Sequence, residues 1–173
     1  NFTESRQFSN SRINFSKKSL LFSIILVLLS FTKLYAQPYV NLITNPAVTN
    51  NTVGQNITIQ IVADYTSANP ADAFQINLGF DPAVLQVTAV SNISSLLSII
   101  GPSFDNTAGT INFVGADLSA PFPNADFAVL SISFDVISLP GGGSTNLIFN
   151  RPPTEVASAA VSVLNTTTNG IIN

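Results

Sequence analysis

Apolar and polar residues alternate with a period of two along most of this chain, and the alternation is sharpest over residues 73–90. Phe74, Ile76, Leu78 and Phe80 fall on one side, with Ala73, Gln75, Asn77 and Gly79 on the other. That is the pattern of a strand with one buried and one open face. Asp81-Pro82 stops it, because proline donates no N–H and holds φ near a turn value. Leu85, Val87 and Ala89 then alternate with Gln86 and Thr88, so two strands meet at a Phe-Asp-Pro corner. The same period places Ile57, Ile59, Ile61, Ala63 and Tyr65 on a buried face, and later Leu130, Ile132, Phe134 and Val136. Shorter runs at 39–43, at Ile111 and Phe113, and at 145–149, 156–164 and 171–172 read as further strands.

Residues 93–101 do not alternate cleanly and read as either an edge strand or a short helical turn. Asn45-Pro46, Asn50-Asn51, Val53-Gly54 and Asp105-Asn-Thr-Ala-Gly109 carry turn chemistry. Residues 117–126, with Pro121 and Pro123, form an extended loop, and Pro140-Gly-Gly-Gly143 a mobile connection. The prediction is an all-β, antiparallel sandwich of about nine strands in one domain over residues 37–173. Periodicity alone leaves immunoglobulin-like and jelly-roll topologies both open.

The leading residues are of another kind. Residues 1–16 are a polar upstream segment. Lys17-Lys18 precede an apolar run from Ser19 to Phe31, and Leu34-Tyr35-Ala36 comes before Gln37. A basic start, a short apolar core and a small residue at the cut read as a signal peptide over 17–36, cleaved after Ala36, and imply export. A membrane anchor is the competing reading, but a spanning helix needs about 18–20 apolar residues and this run is shorter. After cleavage no membrane attachment is expected. The chain of 173 residues starts at Asn1 and contains no methionine, which reads as part of a longer frame.

Composition narrows the chemistry. Residues 37–173 hold one cation, Arg151, against seven aspartates and Glu155, a balance that repels phosphate backbones and excludes nucleic acid as a partner. The chain has no histidine and no cysteine. That removes Ser-His-Asp and Cys-His nucleophiles, the usual zinc and copper ligand sets, and disulfides. A two-carboxylate glycosidase needs only Asp and Glu, but the aspartates stand mostly at strand ends and turns, where they serve the backbone. No enzyme, cofactor or resident metal is expected; a calcium site assembled from distant loops stays open.

Several segments, in order, resemble the cohesin family. The Phe80-Asp81-Pro82 corner is followed by Val84-Leu85-Gln86-Val87. Val53-Gly54-Gln55-Asn56-Ile57-Thr58-Ile59 looks like the family's glycine turn and second strand. Gly109-Thr-Ile-Asn-Phe-Val-Gly-Ala-Asp117, Leu130-Ser-Ile-Ser-Phe-Asp-Val136 and Asn169-Gly-Ile-Ile172 resemble later family segments. The resemblance covers about residues 39–172 and implies jelly-roll topology.

It also implies an extracellular module that docks a dockerin-type protein through one open sheet face. That face would join Ala73, Gln75 and Asn77 to Ser131, Ser133 and Asp135 on a neighbouring strand, with Asn112 beside them. Small uncharged groups of this kind can hydrogen-bond a partner without burying unpaired charge. Cellulosomal members carry Asn and Asp where this chain has Ala73 and Gln75, so the likeness implies the scaffold more than a standard cellulosomal partner. The reading is therefore an assembly module linked to polysaccharide degradation or cell-surface complexes; the main alternative is a carbohydrate-binding module of the same fold, and a structural spacer of a larger surface protein is the third. Sugar modules stack rings on Trp and Tyr, and this chain has no tryptophan, leaving Tyr39 as the exposed candidate.

Overall fold

The structure, a computed structural model, describes residues 37–139, 143–150 and 153–173. The upstream segment, the signal peptide, most of the Pro-Gly-Gly-Gly connection and Arg151 therefore lie outside the described residues. Thirteen strands follow one another: β1 Val40–Asn45, β2 Val48–Thr49, β3 Asn56–Tyr65, β4 Ala73–Gly79, β5 Leu85–Asn92, β6 Leu97–Asp105, β7 Thr110–Ala116, β8 Phe127–Val136, β9 Thr145–Phe149, β10 Glu155–Ser158, β11 Val161–Ser162, β12 Leu164–Thr168 and β13 Gly170–Ile172. No helix occurs among the described residues.

Two sheets result. The first runs β12-β1-β3-β8-β5. The second has eight strands: β11-β10-β4-β9-β13-β2, with β7 on the other side of β4 and β6 outermost. Most pairings are antiparallel, as expected, but β1 with β12 and β13 with β2 are parallel. The inward residues of both sheets make one core. Phe74 of β4 meets Phe127 of β8 edge to face at 5.5 Å, and Phe80 meets Phe134 at 5.6 Å. Burial follows the period-two pattern: Ile59, Ile61, Phe74, Ile76, Leu78, Leu130, Ile132 and Phe134 are essentially inaccessible.

The Phe-Asp-Pro corner is where the chain leaves one sheet for the other, since β4 and β5 do not pair. Asp81 Oδ1 accepts from Ala83 N at 2.9 Å, and Leu85 N donates to Asp81 O at 2.9 Å, winding the corner tightly. Phe80 N donates to Gly109 O at 2.9 Å. Gly109 has φ +66°, and a Cβ there would overlap Phe80 O and stand 2.9 Å from Pro82 Cδ. Only glycine fits under this corner.

Of the two readings left open for residues 93–101, the edge strand holds from Leu97 on, where β6 begins, and residues 93–96 form a bend; two register shifts against β7 blur the alternation. Three expectations need correction. In β5, a bulge between Val87 and Ala89 reverses the phase, so Ala89 faces solvent and Val90 packs on the core. A bulge inserts one unpaired residue and so flips the side-chain parity beyond it. The run at 156–164 splits into β10, β11 and the start of β12, because Ala159 (φ 48°) and Ala160 (φ 63°) turn the chain into a two-residue hairpin. The total of thirteen strands exceeds about nine because sheets also close through two- and three-residue pieces such as β2, β11 and β13.

A candidate partner-binding face

Residues directly opposed across a sheet share a face, so the register of the second sheet defines its outer surface as four rows. The first is Ile148, Gly79, Thr110 and Asp105; the second crosses Asn77, Asn112 and Ser103. The third is Glu155, Gln75, Val114 and Ile100, and the fourth is Ala157, Ala73, Ala116 and Leu97. Every inward neighbour on β4 and β7 (Phe74, Ile76, Leu78, Ile111, Phe113) is core. The outward residues are therefore placed by the same alternation that builds the sandwich.

The third and fourth rows form an apolar end. Ile100 is 59% and Leu97 54% exposed, on the outermost strand, beside half-buried Val114, Ala116, Ala73 and Ala157. Beyond this end runs an amide belt. Asn77 Nδ2 donates to Asn112 Oδ1, and Asn150 Nδ2 donates to Asn77 Oδ1 at 2.7 Å. Thr154, almost fully buried, accepts from Asn77 N at 3.0 Å through Oγ1 and donates to Asn77 O at 2.9 Å. Its hydroxyl does the work of a ladder partner where β9 has ended and β10 has not yet begun.

Four of the seven residues expected on the face are thus brought together: Ala73, Gln75, Asn77 and Asn112. Gln75 is open to solvent, whereas the side-chain amides of Asn77 and Asn112 are already engaged with each other. Ser131, Ser133 and Asp135 are not there. They lie on β8, in the other sheet, flanked by β3 and β5. On that outer surface Ser133 Oγ meets Thr58 Oγ1 at 3.3 Å and Asp135 Oδ1 accepts from Asn56 Nδ2 at 3.0 Å. The strand patterns of β4 and β8 look alike, and only long-range pairing decides which sheet each joins. Leu97, Ile100 and Val114 were the residues missed; the broken alternation at 93–101 was the available signal of the first two, and the alternation of Val114 with Ile111 and Phe113 that of the third.

Ring stacking on tyrosine finds little support in the geometry. Tyr39 is buried, contrary to expectation, and its hydroxyl donates to Pro70 O. Tyr65 donates to Pro123 O at 3.1 Å, and burial, with Tyr39 beside it, pushes its phenol well above the usual value. Among the described residues no group of three or more His, Cys, Asp or Glu comes close enough to hold a metal ion.

Comparison with known proteins agrees with this architecture. The chain is similar in structure to a cohesin of Clostridium acetobutylicum (TM-score 0.64, 16% identity, 79% of this chain and 91% of that one). It is also similar to the third ScaC cohesin of Acetivibrio cellulolyticus, solved with the ScaB dockerin (TM-score 0.62, 18%, 78% and 96%). A non-cellulosomal cohesin from the archaeon Archaeoglobus fulgidus matches at TM-score 0.58 (19%, 79% and 90%). At these identities the likeness establishes the fold. No curated protein matches in sequence. The model of the cohesin domain family, however, matches residues 43–173, nearly the whole sandwich. On that match, with the two-sheet topology around the Phe-Asp-Pro corner, the chain belongs to the cohesin domain family.

Proposed function

We propose that this domain is an exported, non-catalytic assembly module that docks a dockerin-type protein on the outer face of its second sheet. The observation that carries the reading is the apolar end of that face. Leu97 and Ile100 stand more than half exposed next to Val114, beside alanines and neutral amides and with one carboxylate, Glu155, in the same row. A contiguous apolar patch with a polar surround is what a protein interface presents before docking. The A. cellulolyticus relative was solved with a dockerin, which supports the partner class. Lys17-Lys18 and the apolar run after them support export. A link to polysaccharide-degrading or cell-surface complexes follows from that partner class.

The test is capture from the source organism's secreted proteins on the immobilised domain, beside the same domain carrying Ile100→Asp and beside insoluble polysaccharide. Capture of a protein with paired calcium-loop modules, lost with Ile100→Asp, is the expected result. Retention on polysaccharide with no protein captured overturns it in favour of carbohydrate binding.

A further inference from the structure

Glu155 is the only charged residue in the second, third and fourth rows of the face. Its Oε1 accepts from Ser162 Oγ at 2.7 Å and from Val156 N at 3.1 Å, which fixes the carboxylate in place. Among the described residues nothing donates to Oε2. Beside it lies a hollow of about 150 Å³ lined by Ala73, Phe74, Gln75, Val114, Glu155 and Ala157. That is the space of about five water molecules, with an apolar floor because β4 and β10 present alanines there, and with one anionic rim.

A carboxylate covered by a docking partner and left unpaired is strongly unfavourable. A partner that extends from Leu97, Ile100 and Val114 along the third row reaches Glu155, in the same row as Ile100 with two strands between them. Resting on the docking-face reading above, we infer that the hollow receives a lysine or arginine side chain of the partner. The methylene stem lies over Ala73 and Ala157 and the cationic head meets Glu155. The excess of acids over the single arginine in residues 37–173 favours the same complement, since it draws basic surfaces to the domain. Glu155 is then the specificity determinant of the face: the apolar end supplies contact area, and the carboxylate selects which apolar partner is accepted.

The probe is a display library of a small helical bundle with one helix face randomised, selected on three forms of the chain: unaltered, Glu155→Gln and Ile100→Asp. Gln keeps the acceptor for Ser162 and removes only the charge. The expected result is a population of binders that Ile100→Asp abolishes, enriched in Lys or Arg at one position. The enrichment should vanish in selection on Glu155→Gln, and individual binders should weaken at least about tenfold against that form. Face-directed binders without a basic residue, as would follow if the chain's own Arg151 satisfied Glu155, overturn the inference while leaving the docking face standing. So does equal enrichment on Glu155→Gln. If no binder responds to Ile100→Asp, the docking face itself fails, and the inference with it.

Discussion

Replacing Gly109 by alanine tests the corner on which the two sheets turn. Gly109 sits at φ +66°, where an L side chain costs about 1–2 kcal/mol. The unfolded chain loses freedom on gaining a Cβ, which returns about 0.4–1 kcal/mol. The larger effect is steric: the new Cβ overlaps Phe80 O and crowds Pro82, so the corner must move. Movement sacrifices the Phe80 N–Gly109 O hydrogen bond, about 0.5–1.5 kcal/mol, and loosens Phe80 from Phe134. The expected loss is about 2–4 kcal/mol. Gly54 is the control, because it has φ +89° but nothing within 4 Å of an added Cβ. Gly54→Ala should therefore lose only about 1 kcal/mol, the conformational part. Urea unfolding followed by far-ultraviolet circular dichroism gives both values, provided the m-values agree. If the two variants fall within about 0.5 kcal/mol of each other, the corner does not depend on close approach at Gly109 and the argument is refuted.

Three further outcomes are expected. Ala160→Gly should raise stability by about 0.5–1 kcal/mol in the same urea assay, since it relieves a left-handed alanine in the β10–β11 hairpin; no gain would mean the hairpin is unstrained. Asn77→Ala should cost about 1–2 kcal/mol by leaving the Asn112 and Asn150 amides without their partner, whereas exposed Gln75→Lys should stay within about 0.5 kcal/mol. Equal losses would show that the amide belt contributes nothing to the fold. Tyr65 is protonated more tightly in the folded state than in the unfolded chain, chiefly through burial and then through Tyr39. Its contribution is therefore complete below the ordinary phenol value of about 10 and is lost as pH rises above it. Tyr65→Phe should flatten the fall in stability above pH 10, measured by urea midpoints across that range, and an unchanged alkaline slope would contradict the assignment.

The strands on either side of the Phe-Asp-Pro corner were legible because their periodicity is a local property. Phe74 to Phe80 and Leu130 to Val136 must bury one face whatever their neighbours are, and both do. The β5 bulge and the Ala159-Ala160 hairpin were not legible. Alanine carries no turn signal, and a bulge is set by how β5 meets β8 beyond Thr88. The candidate face shows the same division. Gln75 and Asn77 were correctly placed outward on β4, yet the engagement of Asn77 with Asn112, Asn150 and Thr154 joins residues up to 77 positions apart.

By itself, then, the sequence determined that this is a strand-built sandwich, which residues of the regular strands β3, β4 and β8 face inward, and that nucleophilic and transition-metal chemistry lack their usual ligands. Only the tertiary structure decided that β4 and β8 belong to opposite sheets, which separates Ser131, Ser133 and Asp135 from Ala73, Gln75 and Asn112. It alone decided that β6 lies outermost with Leu97 and Ile100 uncovered, and that Glu155 stands on that face. The physical reason is range. Side-chain alternation is encoded over two residues, whereas membership of a sheet depends on pairing between segments far apart in the chain.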